Sequence, residues 1–293
     1  MVSEERPVFV RGLSRSGGTL LVTIVDSHPD VAMSYELYPN LLELPEPDAA
    51  SLRDLVDQLE KVASKRYRKV IDQPNFVTFL NRLPRGGIDK PQMIAVFREH
   101  LDAGMGVADV TERMELMARF ARLKATTEGA AHWGLKCLNN YDEYLASFPG
   151  ARFLNIVRDG RDVLASQLNE MAGAREVEKV AQGWVSTHEK FRAMRDLGRA
   201  PAYEVRYEDL VARPRRVVKE MCRAIDLPYH RAMVNHHKAE HTVYDASHLS
   251  LEKIKKPIND SSIGRWRAEL SPEQVDTFMS VAGPLMTEYG YLD

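Results

Sequence analysis

Cysteine is nearly absent: Cys137 and Cys222 are the only two in 293 residues. Two thiols exclude a disulfide framework and fit a reducing compartment. Long apolar runs are missing as well. No stretch approaches the roughly 20 residues that a membrane-spanning helix needs. The opening Met1-Val2-Ser3-Glu4-Glu5-Arg6-Pro7 lacks the apolar core of a signal peptide. These absences lead to the expectation of a cytoplasmic protein with no membrane contact. Charge of one sign is also scarce. A net charge of −2 offers no general attraction to nucleic acid or to an anionic surface, so anion binding must come from local clusters. There is no internal repeat and no low-complexity tract. What is present, 44% hydrophobic and 28% charged residues, is ordinary for a soluble chain able to bury a full core.

The most informative stretch is Gly12-Leu13-Ser14-Arg15-Ser16-Gly17-Gly18-Thr19. Before it, Pro7-Val8-Phe9-Val10 has the apolar, β-branched character of a buried strand. After it, Leu20-Leu21-Val22-Thr23-Ile24-Val25 has helical apolar spacing and breaks at His28-Pro29. Strand, glycine-rich loop and helix in that order make a phosphate cradle, because loop N–H groups and the helix N-terminus both present partial positive charge. One part is missing even here. Gly18 stands where an ATPase loop carries lysine, and no apolar strand ends in an aspartate placed to hold Mg²⁺. Arg15 is the cation available in its place.

Downstream, Leu52, Leu55, Val56, Leu59, Val62 and Ala63 predict a helix to about Arg68, and further helices are expected near 75–83, 93–101 and 112–125. Residues 52–125 thus read as a helical insert. Strands follow at His132-Trp133-Gly134-Leu135-Lys136, Arg152-Phe153-Leu154-Asn155-Ile156-Val157 and Ala202-Tyr203-Glu204-Val205-Arg206, each separated by a helical pattern. Such alternation predicts an α/β fold, a parallel sheet flanked by helices with right-handed crossovers. We read it as one domain over residues 1–293. Ligands of such sheets bind beyond the carboxyl ends of the strands. That rule selects Arg15, Lys136, Arg158 and Tyr207. Residues 236–262 look irregular and polar, and the cluster Lys253-Ile254-Lys255-Lys256 predicts a mobile segment covering an anion. The histidines His230, His236, His237, His241 and His248 fit no zinc spacing and are expected to face solvent, so no metal is expected. Trp133, Trp184 and Trp266 are read as packing residues.

Two of these motifs carry a family resemblance. Arg15-Ser16-Gly17-Gly18-Thr19-Leu20-Leu21 resembles the 5′-phosphosulfate loop of sulfotransferases that use 3′-phosphoadenosine 5′-phosphosulfate (PAPS). Ile156-Val157-Arg158-Asp159-Gly160-Arg161-Asp162-Val163-Leu164-Ala165-Ser166 resembles their 3′-phosphate motif. The resemblance extends to Asp26-Ser27-His28-Pro29, Tyr207-Glu208-Asp209-Leu210, Lys256-Pro257-Ile258-Asn259 and Gly264-Arg265-Trp266. Within the family it is nearest the tyrosylprotein branch, which has arginine in the loop. The resemblance implies that residues 15–20 hold the 5′ end of the nucleotide, and Arg158 and Ser166 its 3′-phosphate, with Tyr207, Lys256 and Asn259 around it. It implies that Glu36 is the catalytic base and that Arg15 and Lys136 act on the transferred sulfuryl group. It further implies PAPS as donor, adenosine 3′,5′-bisphosphate (PAP) as product, and a hydroxyl acceptor on a small molecule or a tyrosine peptide. Gly18 departs from the family, which has a hydroxyl residue there, and the serine assisting the leaving group is either Ser247 or Ser250. The animal tyrosylprotein enzymes work in the secretory pathway; the missing signal peptide instead points to a bacterial-type cytoplasmic enzyme. A P-loop kinase and an inactive nucleotide-binding protein are the alternatives.

Overall fold

The computed structural model describes residues 5–34, 36–170, 176–239 and 251–292. Strands β1 (Val8–Gly12), β2 (Val31–Met33), β3 (His132–Lys136), β4 (Arg152–Val157) and β5 (Ala202–Arg206) form one sheet in the order β2-β3-β1-β4-β5. Strand β2 pairs with β3 in parallel, and β4 with β5, placing Met33 opposite Gly134 and Val157 opposite Arg206. Helices separate the strands, so the predicted α/β class is the observed one. The chain divides into two compact units. The first is built mainly on Val25–Ala151, and the second on Val10–Ile24, Arg152–Lys238 and Lys253–Asp293.

In the first unit the main regular elements between β2 and β3 are all helices, at Ala49–Lys61, Pro74–Arg82, Lys90–Asp102 and Val110–Glu128. Three of these starts are chemically marked. Asp48 accepts the N–H groups of Ala50 and Ser51, Asp89 and Gln92 form a reciprocal capping box, and Asp109 accepts the Glu112 N–H. The expected single helix to Arg68 stops instead at Lys61. The Lys90 ammonium donates to the Glu60 and Val62 carbonyls at 2.8 and 2.7 Å, satisfying the last acceptors of the helix, and a 3-10 turn follows at Ser64–Lys69. The apolar faces of these helices meet in four fully buried rings, Phe76, Phe79, Phe97 and Phe120, with centroids 5.5–6.4 Å apart.

The second unit packs its last helix, Pro272–Glu288, against helix Val177–Asp196. Ser271 caps the last helix through a capping box with Gln274, as the Ser-Pro-Glu-Gln run predicts. Trp184, Phe278, Val163, Leu164 and Met286 form the core here. Trp184 is therefore a packing residue, as expected. Ser247, Ser250, His241 and His248 lie outside the described residues. His236 departs from the solvent-facing expectation and is fully buried. Among the described residues no three histidine, cysteine or carboxylate groups gather as a metal site, and no helix is long and apolar enough to cross a membrane.

Candidate active site

In the second unit, β1 runs into a tight loop. The N–H and the hydroxyl of Ser16 both donate to the Leu13 carbonyl, at 3.0 and 2.6 Å, and the side chain is completely buried. Ser16 thus closes the turn with both of its donors. Arg15 sits at φ 74° and Gly17 at φ 98°. For arginine that conformation costs on the order of 1–3 kcal/mol, the kind of strain that a loop shaped for a ligand carries. At Gly17 any side chain would collide, since a Cβ would stand 2.8 Å from Cδ2 of Tyr207. The helix Gly18–Asp26 starts immediately after. Its first N–H groups have no intrahelical acceptor, so Gly18 and Thr19 offer backbone donors at the loop. Gly18 brings no hydroxyl. Leu20 continues this first turn, half-buried.

The second motif comes to the same place. Because Val157 is paired with Arg206, the residues that follow them, Arg158 and Tyr207, leave the sheet side by side. The Arg158 guanidinium lies 5.0 Å from the centroid of the Tyr207 ring. Burial pushes the Tyr207 phenol pKa up, against the opposing pull of Arg158 and the Ser262 hydroxyl. Arg158 is 4% exposed. Its Nη1 donates to the Arg15 carbonyl at 3.1 Å and its Nη2 to the Ser262 carbonyl, and Trp184 Nε1 donates to the Arg158 carbonyl at 3.0 Å. Nε of Arg158 is buried and has no acceptor among the described residues. A buried guanidinium with a donor left over suits an anionic oxygen. Eight residues on, Ser166 accepts from Arg15 Nε at 3.0 Å, although 151 positions separate the two in the chain. Gln167 donates to the Ser14 carbonyl at 2.9 Å and anchors the loop from the other side. Lys256 and Asn259 are exposed, and the Asn259 side chain bonds within its own turn, to Pro257 and Ser261.

The first unit holds the remaining pair. Past the Met33–Gly134 register pair, the Ser34 N–H still bonds the Gly134 carbonyl at 2.8 Å, so the chain stays beside β3 for one more step. Glu36 and Lys136 therefore leave neighbouring strands at the same edge. Lys136 Nζ donates to Glu36 Oε1 at 2.5 Å, with the side chains 17% and 22% exposed respectively. Arg82, from the helical segment, donates to the Glu36 carbonyl at 2.5 Å and lies 3.8 Å from Oε2. The carboxylate is held by two cations yet stays reachable from solvent.

Three residues of these clusters were not singled out from sequence: Asp162, Gln167 and Arg82. Asp162 and Gln167 stand inside or beside the quoted motif, four and nine positions after Arg158, and helical spacing could have raised them. Nothing in the sequence marks Arg82.

Comparison with known proteins now decides the family. The profile described as "Sulfotransferase family" matches residues 7–231, well over half of the chain. The chain belongs to the sulfotransferase family. Among curated relatives of this sulfotransferase, the Protein-tyrosine sulfotransferase of Drosophila melanogaster is 22% identical over 97% of the chain and 51% of its own length. Protein-tyrosine sulfotransferase 1 of Danio rerio is 24% identical over 97% of the chain and 72% of its own. The chain thus spans about half the length of the fly relative. The sulfotransferase domain of the Synechococcus PCC 7002 olefin synthase superposes with a TM-score of 0.58 at 17% identity, covering 95% of this chain and 94% of that one. A mouse sulfotransferase solved in complex with PAP superposes at 0.50, with 9% identity, over 98% of this chain and 89% of its own. These likenesses bear out the α/β fold.

One expectation is overturned. The cytoplasmic assignment fails because the two curated relatives named above are animal protein-tyrosine sulfotransferases, the branch whose setting is the secretory pathway. With only half of the fly relative covered, the residues at which this sequence opens do not identify a compartment.

Proposed function

We propose that this sulfotransferase moves the sulfuryl group of PAPS to a phenolic hydroxyl, with a tyrosine side chain as the first acceptor to test. The observation that carries the reading is the 3.0 Å bond from Arg15 to Ser166, which joins the two phosphate motifs across 151 residues. The name of the relatives, protein-tyrosine sulfotransferases, supports the acceptor. The residues present fit the donor: a loop of backbone N–H groups for its 5′ end, and a buried arginine with an unused donor for its 3′-phosphate.

The chemistry follows from the residue types. Glu36 takes the proton of the acceptor hydroxyl as its oxygen attacks sulfur. The new O–S bond forms as the bond from sulfur to the 5′-phosphate oxygen breaks, and that oxygen keeps the electron pair, leaving as PAP. Arg15 exchanges the neutral Ser166 hydroxyl for the anionic phosphate end of the donor, the stronger acceptor. Lys136 shares its ammonium between Glu36 and the sulfuryl oxygens. Meeting the charge that develops on those oxygens with fixed cations is typically the largest single contribution to rate. Lys256 and Asn259 cover the nucleotide from the polar segment.

Transfer of labelled sulfate from PAPS across a panel of tyrosine peptides, simple phenols, alcohols and sugars tests this reading. Labelled tyrosine peptides or phenols are the expected products. Label confined to sugars or aliphatic alcohols overturns the acceptor. Stabilisation by Mg·ATP and not by PAP overturns the donor.

A further inference from the structure

Asp162 has no part in the chemistry above, yet its surroundings are specific. It lies in the first turn of helix Gly160–Glu170 and is 1% exposed. Its two oxygens have separate partners: Oδ2 accepts the Gly264 N–H at 2.8 Å, and Oδ1 accepts the Trp266 N–H at 3.0 Å. Gly264 is left-handed at φ 74° and Arg265 right-handed at φ −56°, ψ −34°. That alternation turns the N–H groups on either side of Arg265 toward one point, a small anion-binding concavity, and the Asp162 carboxylate fills it. Two residues before this turn, the Ser262 carbonyl accepts Arg158 Nη2. Asp162 Oδ2 itself stands 3.7 Å from that same nitrogen.

These contacts make a chain of orientation. The carboxylate holds the turn, the turn holds the Ser262 carbonyl, and that carbonyl together with Arg15 O fixes both ends of the Arg158 guanidinium. With Nη1 and Nη2 so directed, Nε is the buried guanidinium nitrogen that has no acceptor among the described residues. We propose that Asp162 is a positioning residue for the donor's 3′-phosphate, acting through the 262–266 turn on the orientation of Arg158. The proposal rests on reading Arg158 as the 3′-phosphate arginine. A competing role for a carboxylate this close would be to offset the arginine's charge. The two roles predict opposite signs: removing an offsetting charge tightens phosphate binding, whereas removing a positioning group loosens it.

The test is calorimetric binding of PAP and of adenosine 5′-phosphate, which lacks the 3′-phosphate, to the full chain. In Asp162→Asn an NH₂ group faces a backbone N–H that needs an acceptor. PAP affinity falls by about tenfold or more while adenosine 5′-phosphate affinity holds within about twofold. Gly264→Ala strains the same turn and leaves the buried carboxylate intact. It loses PAP selectively to a smaller degree, which keeps the proposal open to refutation if Asp162→Asn does not fold. Tighter PAP binding in Asp162→Asn, or an unchanged preference in both variants, overturns the positioning role. A wild-type chain that binds the two nucleotides equally removes the Arg158 assignment itself, and this proposal with it.

Discussion

The two side-chain clusters are built in opposite ways. Around the loop in the second unit, Ser16, Arg158, Asp162, Ser166 and Gln167 are all buried, and most of their partners are backbone groups. Glu36, Lys136 and Arg82 in the first unit are partly exposed, and the central bond joins two side chains. Backbone partners cannot rotate away, so the first arrangement suits a group that must hold a large anion in one pose. A pair of flexible charged side chains can exchange partners during a reaction, which suits proton transfer. Holding calls for rigidity, and proton transfer for access.

That contrast can be broken experimentally, beginning with the largest effect. Glu36→Gln keeps the shape but removes the proposed base, so kcat falls by roughly two to four orders of magnitude while the Kd for PAP is unchanged. Rapid-quench turnover beside calorimetry separates the two, and a matching loss of PAP affinity would erase the division of labour. Arg158→Ala does the reverse. PAP binding weakens by about ten- to a hundredfold through loss of charged hydrogen bonds, and an unaltered Kd would falsify its role as a phosphate ligand.

Gly17→Ala probes rigidity alone. Positive φ and the approach to Tyr207 together cost on the order of 1–3 kcal/mol, read as a lower Tm and weaker PAP binding. A variant of wild-type stability would show that the loop bends freely.

The smallest effect is a pH slope shared by both units. His188 is buried beside Glu204, Asn155, Trp184 and Tyr289, and burial lowers its pKa although Glu204 pulls it up. His100 is likewise buried, with its pKa lowered by burial against the Gly106 carbonyl bond. Both are neutral when folded and take up a proton more readily when unfolded. Their contribution is fully present above the ordinary histidine range and is lost as pH falls from there toward each lowered value. The slope is at most about 1.4 kcal/mol per pH unit for each residue. Denaturation midpoints followed from pH 7.5 downward should flatten in His188→Gln and again in His100→Gln. A wild-type slope in both variants rules out these two histidines as its source.

Much of this was legible in the residues, and the limits are physical. Strand, loop and helix around Arg15 were readable because each uses a local rule: β-branched run, glycine turn, helical apolar spacing. Arg158, Tyr207 and Lys136 were selected from sequence because ligands of parallel sheets gather past strand ends. The break at Lys61 was not visible, since the Lys90 ammonium that ends that helix comes from 28 residues beyond Val62. The roles of Asp162, Gln167 and Arg82 were equally hidden. Each depends on which distant backbone group its side chain meets.

The sequence alone therefore determined the α/β class, the order of the Arg15 and Arg158 motifs and the identity of the charged residues, because spacing and residue chemistry are local properties. Only the tertiary structure decided that Arg15 meets Ser166, that Lys136 and Arg82 share Glu36, and that Ser16 faces Leu13. Register and crossover connections choose those partners, and they are settled when the strands pair.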